Sequence, residues 1–229
     1  MSTKTKHTEA SNNFHELSKD LTPKQVDLLM QNSSVVSYLP REIIFKQETR
    51  TNLVMFVKSG LIKIYREKKT FKSVILKFVT NNQFLGLSSF FDNEHYQYSA
   101  ATLSPCEILC IDASVFRDIL KENHTFTLSI LSQISREAIY TFDKLLRQTH
   151  KQLPGRIADV LLYFSQEIYH SNTFPLPGTR RELAEFAGTT KESFIRTLME
   201  FKNDKIIEIS GQNVTITSIK IVQKLSNLG

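Results

Sequence analysis

The sequence predicts an α+β chain: an N-terminal antiparallel β roll, one long helix, and a small helical domain closed by a β-hairpin. Three observations predict it. Between Ser34 and Asp112, short segments rich in β-branched and aromatic residues (SVVSYL, EIIFKQ, LVMFVKSG, LIKIYR, SVILKFV, CEILCI) recur between polar or glycine breaks, the spacing of a sandwich or roll. From Thr125 to Gln148, apolar residues recur every three and four positions, the period of a helix. From Thr179 to Met199, the string TRRELAEFAGTTKESFIRTLM reads as two helices around a sharp turn.

Composition sets the outer bounds. The 229 residues, 41% of them hydrophobic, suit one large domain or two modest ones. The net charge of +6 favours an anionic partner. No apolar run is long enough to span a membrane. The first residues, MSTKTKHTEASNNFHELSKD, lack the apolar core of a signal peptide, so the expected location is the cytoplasm. Cys106 and Cys110 lie four apart in CEILCID. On a strand they share a face about 13 Å apart, too far for a disulfide, and the expectation is two buried free thiols.

Taken in order, residues 1–13 are expected to be disordered. Phe14–Gln31 reads as an amphipathic helical region in which Thr22 caps and Pro23 takes the first helical position. The strands follow, then a short helix over Ala113–Leu120. The long helix carries Phe126, Ile130, Ile134, Ala138, Phe142 and Leu145 on one stripe, widened by Leu131, Ile139 and Leu146. At about 35 Å it has more apolar surface than one small roll needs. Two readings stand: a seam resembling a coiled coil between two copies, or a core helix across the sheet. Different faces can serve both. Lys151–Gly155 breaks the helix. Arg156–Tyr169 reads as an apolar helix, Asn172–Gly178 as a proline-rich loop, Ile206–Ile209 and Val214–Thr217 as a hairpin, and Ser218–Leu228 as a closing helix. The resulting division is 1–122, 123–150 and 151–229.

The pair of helices carries the chemistry. Thr179 and Glu182 form a capping box. Leu183, Phe186 and Ala187 give the first helix an apolar face, Ala184 permits close crossing, and Gly188 stands where φ > 0 is needed. In the second helix Phe194, Leu198 and Phe201 face inward, which leaves Lys191, Glu192, Ile195 and Arg196 outward. A helix with polar and cationic groups on its first turns fits a DNA major groove. A plainer account also fits Glu192: it can pair with Arg196 at i, i+4, or serve a capping box with Thr189. A hairpin straight after the second helix is the wing of a winged helix-turn-helix.

With this order of elements, and with the strings GRIADVLL, TRRELAEFAGTTKESFIRTL and KIIEISGQNVTIT, the chain resembles a Crp/Fnr-type transcription regulator over about residues 34–217. The roll adds MFVKSGLIKIY, with Gly60 at a turn, and QFLGLSSFF with Gly86. The resemblance implies a cyclic-nucleotide-binding-domain-like sensor roll, a dimerisation helix, and a homodimer whose two recognition helices enter successive major grooves of palindromic double-stranded DNA, half-sites about 34 Å apart. It puts base reading on Lys191, Glu192 and Arg196: a guanidinium can give two N–H bonds to guanine, and a carboxylate can accept from cytosine. It puts phosphate contacts on Thr179, Arg180, Thr189 and Thr190. Ser193 and Gly211 complete the expected DNA surface. Ile195 departs from the small or polar residue usual at its place and could meet a thymine methyl. Activation in such regulators uses contacts with RNA polymerase, for which no motif is readable here.

The effector is less legible. The implied pocket falls on Gly86, Leu87, Ser88, Tyr98, Ser99, Thr141 and Phe142. Cyclic-AMP-binding members resemble one another in a Gly-Glu pair and, about ten residues later, Arg-Ser. This chain has Gly86-Leu87 and then Gln97-Tyr98-Ser99. A phosphate buried without a cation is costly, so cyclic AMP is not the expected ligand. Phe142, beside Thr141, is a candidate to fill the purine's space. No cysteine precedes Cys106, which removes an N-terminal iron–sulfur cluster. Haem remains open, with His95, His124 and Met55 as conceivable ligands; so do a small apolar or anionic metabolite and no effector at all. The sequence holds no Walker A motif, nucleophile elbow, HExxH or Rossmann fingerprint, so an enzyme is not expected. The remaining alternative is a ligand-binding or protein-interaction module that does not bind DNA.

Overall fold

A computed structural model describes residues 17–67, 73–92 and 95–228; the disorder expected over residues 1–13 lies outside them. The chain divides into two compact units. Of the described residues, one holds those up to 67 and those from Leu76 to Ala138; the other holds Ser73–Ile75 and those from Ile139 to Leu228.

In the first unit, α1 (Pro23–Gln31) starts as its sequence requires: the Thr22 hydroxyl accepts from the Gln25 N–H, and the Gln25 side chain caps back. Eight strands follow: β1 (Ser33–Tyr38), β2 (Ile43–Phe45), β3 (Leu53–Ser59), β4 (Ile62–Glu67), β5 (Ser73–Val79, its first three residues counted with the second unit), β6 (Gln83–Leu85), β7 (Ser99–Thr102) and β8 (Cys106–Asp112). They form two sheets, ordered β1-β8-β3-β6 and β2-β7-β4-β5, antiparallel in every register resolved. The sequence reading missed β6 and β7, as well as helix α2 (Leu87–Asp92) between them. Two of these elements have only three and four residues, too few to show a period.

The central strands β3 and β8 are buried on both faces, which explains their nearly unbroken apolar runs. Val54, Phe56, Leu109 and Ile111 join a core with α1, α3 (Ala113–Glu122) and the start of α4. Met55, Val57, Ile108, Cys106 and Cys110 point the other way, into the core between the sheets. Both cysteines are buried free thiols on one face, as period-2 geometry requires. Gly60 closes the β3–β4 turn at φ 104°, where a Cβ would lie 2.5 Å from the Pro105 carbonyl oxygen. Only glycine fits there.

Helix α4 (His124–His150) has 27 residues. It ends where the Lys151–Gly155 break predicts, but the next helix starts earlier than expected. Helix α5 spans Leu153–Leu162 with Pro154 in its first turn, a place where the missing N–H costs nothing. It runs into a π-helical turn, Tyr163–Ile168. Then come β9 (Thr173–Pro175), α6 (Arg180–Phe186), α7 (Lys191–Asn203), β10 (Ile207–Ser210), β11 (Asn213–Ile216) and α8 (Ile219–Leu228). The proline-rich loop thus contains an unexpected strand: β9 pairs with β11 to give a three-stranded sheet, β10-β11-β9. Pro175 is tolerated because β9 is an edge strand. No described helix is long and apolar enough to cross a membrane.

Candidate nucleic-acid interface

The capping box at α6 forms: the Glu182 N–H donates to the Thr179 hydroxyl at 3.2 Å, and the Thr179 N–H donates to the Glu182 carboxylate at 2.7 Å. The helix ends in a Schellman motif. Gly188, at φ 67°, donates to the Glu185 carbonyl, and Thr189 donates to the Ala184 carbonyl. The chain can then start α7 within a few residues, at an angle fixed by backbone bonds.

Helix α7 is capped by Thr190, whose hydroxyl accepts from the Ser193 N–H at 3.2 Å. The capping residue is therefore Thr190 and not Thr189, so Glu192 has no capping duty. Glu192 and Arg196 form no ion pair or side-chain hydrogen bond with any described residue, which disposes of the i, i+4 pairing as well. Phe194 and Leu198 are fully buried, with Phe201 at 4% exposure. Lys191, Glu192, Arg196 and Met199 are exposed, and Ile195 and Ser193 half-buried. Met199 extends the outward face by one turn; it went unremarked because an apolar residue at a helical interval reads as core.

The remaining predicted residues border this face. Arg180 is half-buried at the start of α6, where burial holds its pKa below the usual arginine value. Its neighbour Arg181 is tied to Glu185 at 3.2 Å. At the tip of the hairpin Ser210 pairs with Asn213, which leaves a two-residue turn of Gly211 and Gln212. Gly211 lies at φ 61° with nothing within 4 Å of an added Cβ, so it serves the turn's backbone and leaves the tip open.

A compact helix pair with a free polar face, followed by a wing, has clear counterparts. The chain matches the model of the cyclic nucleotide-binding domain over residues 35–123 and that of the Crp-like helix-turn-helix domain over residues 155–225. It belongs to the Crp/Fnr family of transcription regulators. It is 20% identical to the cAMP-activated global transcriptional regulator CRP of Salmonella typhimurium, over 87% of this chain and 97% of that one. It is 21% identical to the transcriptional activatory protein AadR of Rhodopseudomonas palustris, over 81% and 78%. Among solved structures it is similar to FixK2 of Bradyrhizobium japonicum, with a TM-score of 0.78 at 18% identity, over 84% and 96%. Crp/Fnr proteins are regulators and not enzymes.

In this Crp/Fnr roll the residues expected around an effector are largely engaged with one another. Gly86, at φ 80°, has the Tyr96 ring where a side chain would stand, 2.7 Å from an ideal Cβ. Tyr96 stacks on Phe45 at 3.7 Å between centroids and 12° between planes, with Tyr98 at 6.0 Å from Phe45. Leu87 is buried. Burial pushes up the Tyr98 phenol, which lies 3.5 Å from the Ser88 hydroxyl. The buried Ser99 hydroxyl accepts from the Gln47 N–H at 3.0 Å. Phe142, the candidate for the purine's space, is 65% exposed on α4, with Thr141 exposed beside it. The three conceivable haem ligands stand on separate parts of the chain. Met55 lies in the inter-sheet core, His95 at an isolated bridge to Arg50, and His124 exposed at the start of α4.

The stripe on α4 needs one correction. Phe126 and Ile130, expected at a dimer interface, are 2% and 1% exposed and belong to the first unit's own core, with Ile134 packed against it. They face inward against that core, where the Phe126 ring meets Phe116 of α3 edge-on at 5.7 Å between centroids. The residues left outside are Leu128, Leu131, Ile139, Phe142, Leu145 and Leu146, each 54–65% exposed. With Ser135 and Ala138, also exposed, Leu128, Leu131, Phe142 and Leu145 recur at strict three-four spacing.

Proposed function

We propose that this Crp/Fnr regulator acts as a homodimer that reads a palindromic DNA site with α7. The observation that carries the reading is the outward face of α7, where Lys191, Glu192 and Arg196 are exposed with no partner among the described residues. Charged side chains held out of local pairing by a rigid, capped helix suit base-edge recognition. Arg180, Thr179, Thr189 and Thr190 surround it and hold phosphates, which position the domain without reading sequence. The exposed three-four stripe on α4 supports a two-fold seam, which spaces the two recognition helices by one turn of DNA. RNA polymerase is the further partner if the regulator activates.

Cyclic AMP does not act in the manner of the CRP relatives. Leu87, Gln97 and Tyr98 supply neither the carboxylate nor the guanidinium, and the Phe45–Tyr96 stack with Ser99's bond to Gln47 takes up the groups a nucleotide would need. Either a different small molecule or no effector controls the roll. Calorimetric titration with cyclic AMP is expected to show no saturable heat; micromolar binding refutes this.

Selection from a random DNA pool with the purified protein and no effector tests the main reading. Enrichment of an inverted repeat with half-sites one helical turn apart is expected. On the selected site, Arg196→Ala relaxes base preference at one position at a cost of about 1–3 kcal/mol, while Arg180→Ala weakens all sequences alike. If neither variant changes DNA affinity, the assignment of α7 as the reading helix is wrong.

A further inference from the structure

A crevice in the second unit opens between the C-terminal part of α4, the start of α5 and the end of α6. Three cations line it, Lys144, Arg147 and Arg156, with the rings of Tyr163 and Phe186 and the carboxylate of Asp159. The one acid is already neutralised. Lys151 reaches both its oxygens, at 2.8 and 2.9 Å, and the Ser226 hydroxyl donates to it as well. What faces the crevice is therefore a surplus of positive charge over an aromatic wall.

Arg156 is the most telling group. Its Nη1 donates to the Gly188 carbonyl at 3.2 Å, which fixes the guanidinium beside the helix-turn-helix turn. Its Nε–H is buried and has no hydrogen-bond acceptor among the described residues. A buried donor without an acceptor is costly, and such exceptions call for an explanation. Lys144 adds a second cation to the same wall. Its Nζ donates to the Ile75 carbonyl at 2.9 Å and sits 3.9 Å from the Phe186 ring centroid. Burial holds its pKa down to about 7.

We propose that this crevice binds a phosphate-sized oxyanion, which accepts from Arg156 Nε and lies against the Lys144 ammonium. Size sets the class. The crevice holds about 40 Å³ behind an open mouth. That is room for about three water-sized groups, enough for a phosphate or sulfate head. The donors suit the ligand: a guanidinium edge matches an oxyanion's geometry, and charge-assisted bonds are the strong ones. The ion comes either free or as the phosphoryl group of a larger metabolite whose body leaves through the open mouth. Bound there, it would link α4 to the turn after α6 through the Arg156–Gly188 bond. The proposal stands on this geometry and not on the DNA-reading assignment.

The test is calorimetric titration of the full-length protein, in buffer free of phosphate and sulfate, with inorganic phosphate and separately with phenyl phosphate. Saturable binding of one ion per chain is expected. Arg156→Gln weakens it at least tenfold. Lys144→Met does the same while keeping the Arg156–Gly188 bond and removing a buried charge, so it tests the site in a protein that stays folded. Lys121→Gln, at a solvent-exposed pair with Asp118, leaves affinity unchanged. Equal binding of both probes identifies a free ion; binding of phenyl phosphate alone identifies a phosphoryl group on a larger body. Absence of saturable binding with both, or affinity that Lys144→Met and Arg156→Gln leave intact, overturns the site.

Discussion

Replacing Phe142 by aspartate is expected to separate the two copies without unfolding either. Phe142 is 65% exposed in the single chain, so its own unit loses little when it changes. Full burial of such a side chain contributes about 1.5–3 kcal/mol. With 65% still open to solvent, a seam recovers about 1–2 kcal/mol per copy on the same scale. A two-fold axis counts the loss twice, giving about 2–4 kcal/mol, which at 1.4 kcal/mol per decade is a dissociation constant raised about 30- to 700-fold. Two carboxylates facing each other add to this. Sedimentation velocity over a concentration series reads the constant, and a thermal melt confirms that the chain still folds. The matching control is Phe126→Asp. It lies on the same helix but is 2% exposed, so it is expected to unfold the first unit rather than dissociate a dimer. A Phe142→Asp protein that self-associates as the parent does refutes the seam.

Other consequences can be measured directly. Thr190→Ala removes the oxygen that accepts from Ser193 N–H at the start of α7; chemical denaturation is expected to show a loss of about 0.5–2 kcal/mol, with DNA affinity falling as the first turn frays. Lys144→Met is expected to raise the melting temperature most below pH 7. Burial lowers the folded-state pKa of Lys144 to about 7, against an ordinary value in the unfolded chain. Below pH 7 both states hold the proton and the whole desolvation cost falls on the folded protein. As pH rises above 7 the folded state sheds that proton, the cost shrinks, and the difference between variant and parent narrows. A difference independent of pH would show that Lys144 is not the group responsible.

The sequence determined the elements whose side chains follow one rule over many residues. The paired helices were legible because a capping box, a small crossing residue, a turn glycine and an inward Phe194-Leu198-Phe201 stripe all agree. That agreement is local: each feature acts within one or two helical turns. The cysteines' shared face was legible for the same reason, since a strand's period of two decides it. Tertiary structure decided what depends on neighbours distant in sequence. Strand β9 exists because β11 offers it a partner, and no period marks three residues of TFP. Sequence could not separate the two faces of α4, because Phe126 and Phe142 lie on one continuous apolar stripe. Only the packing of α3 and the sheet against one end shows that the first is core and the second is surface. The oxyanion crevice was likewise out of reach. Lys144 and Arg156 stand on different helices, and a buried N–H without an acceptor becomes visible only when every surrounding group has its place.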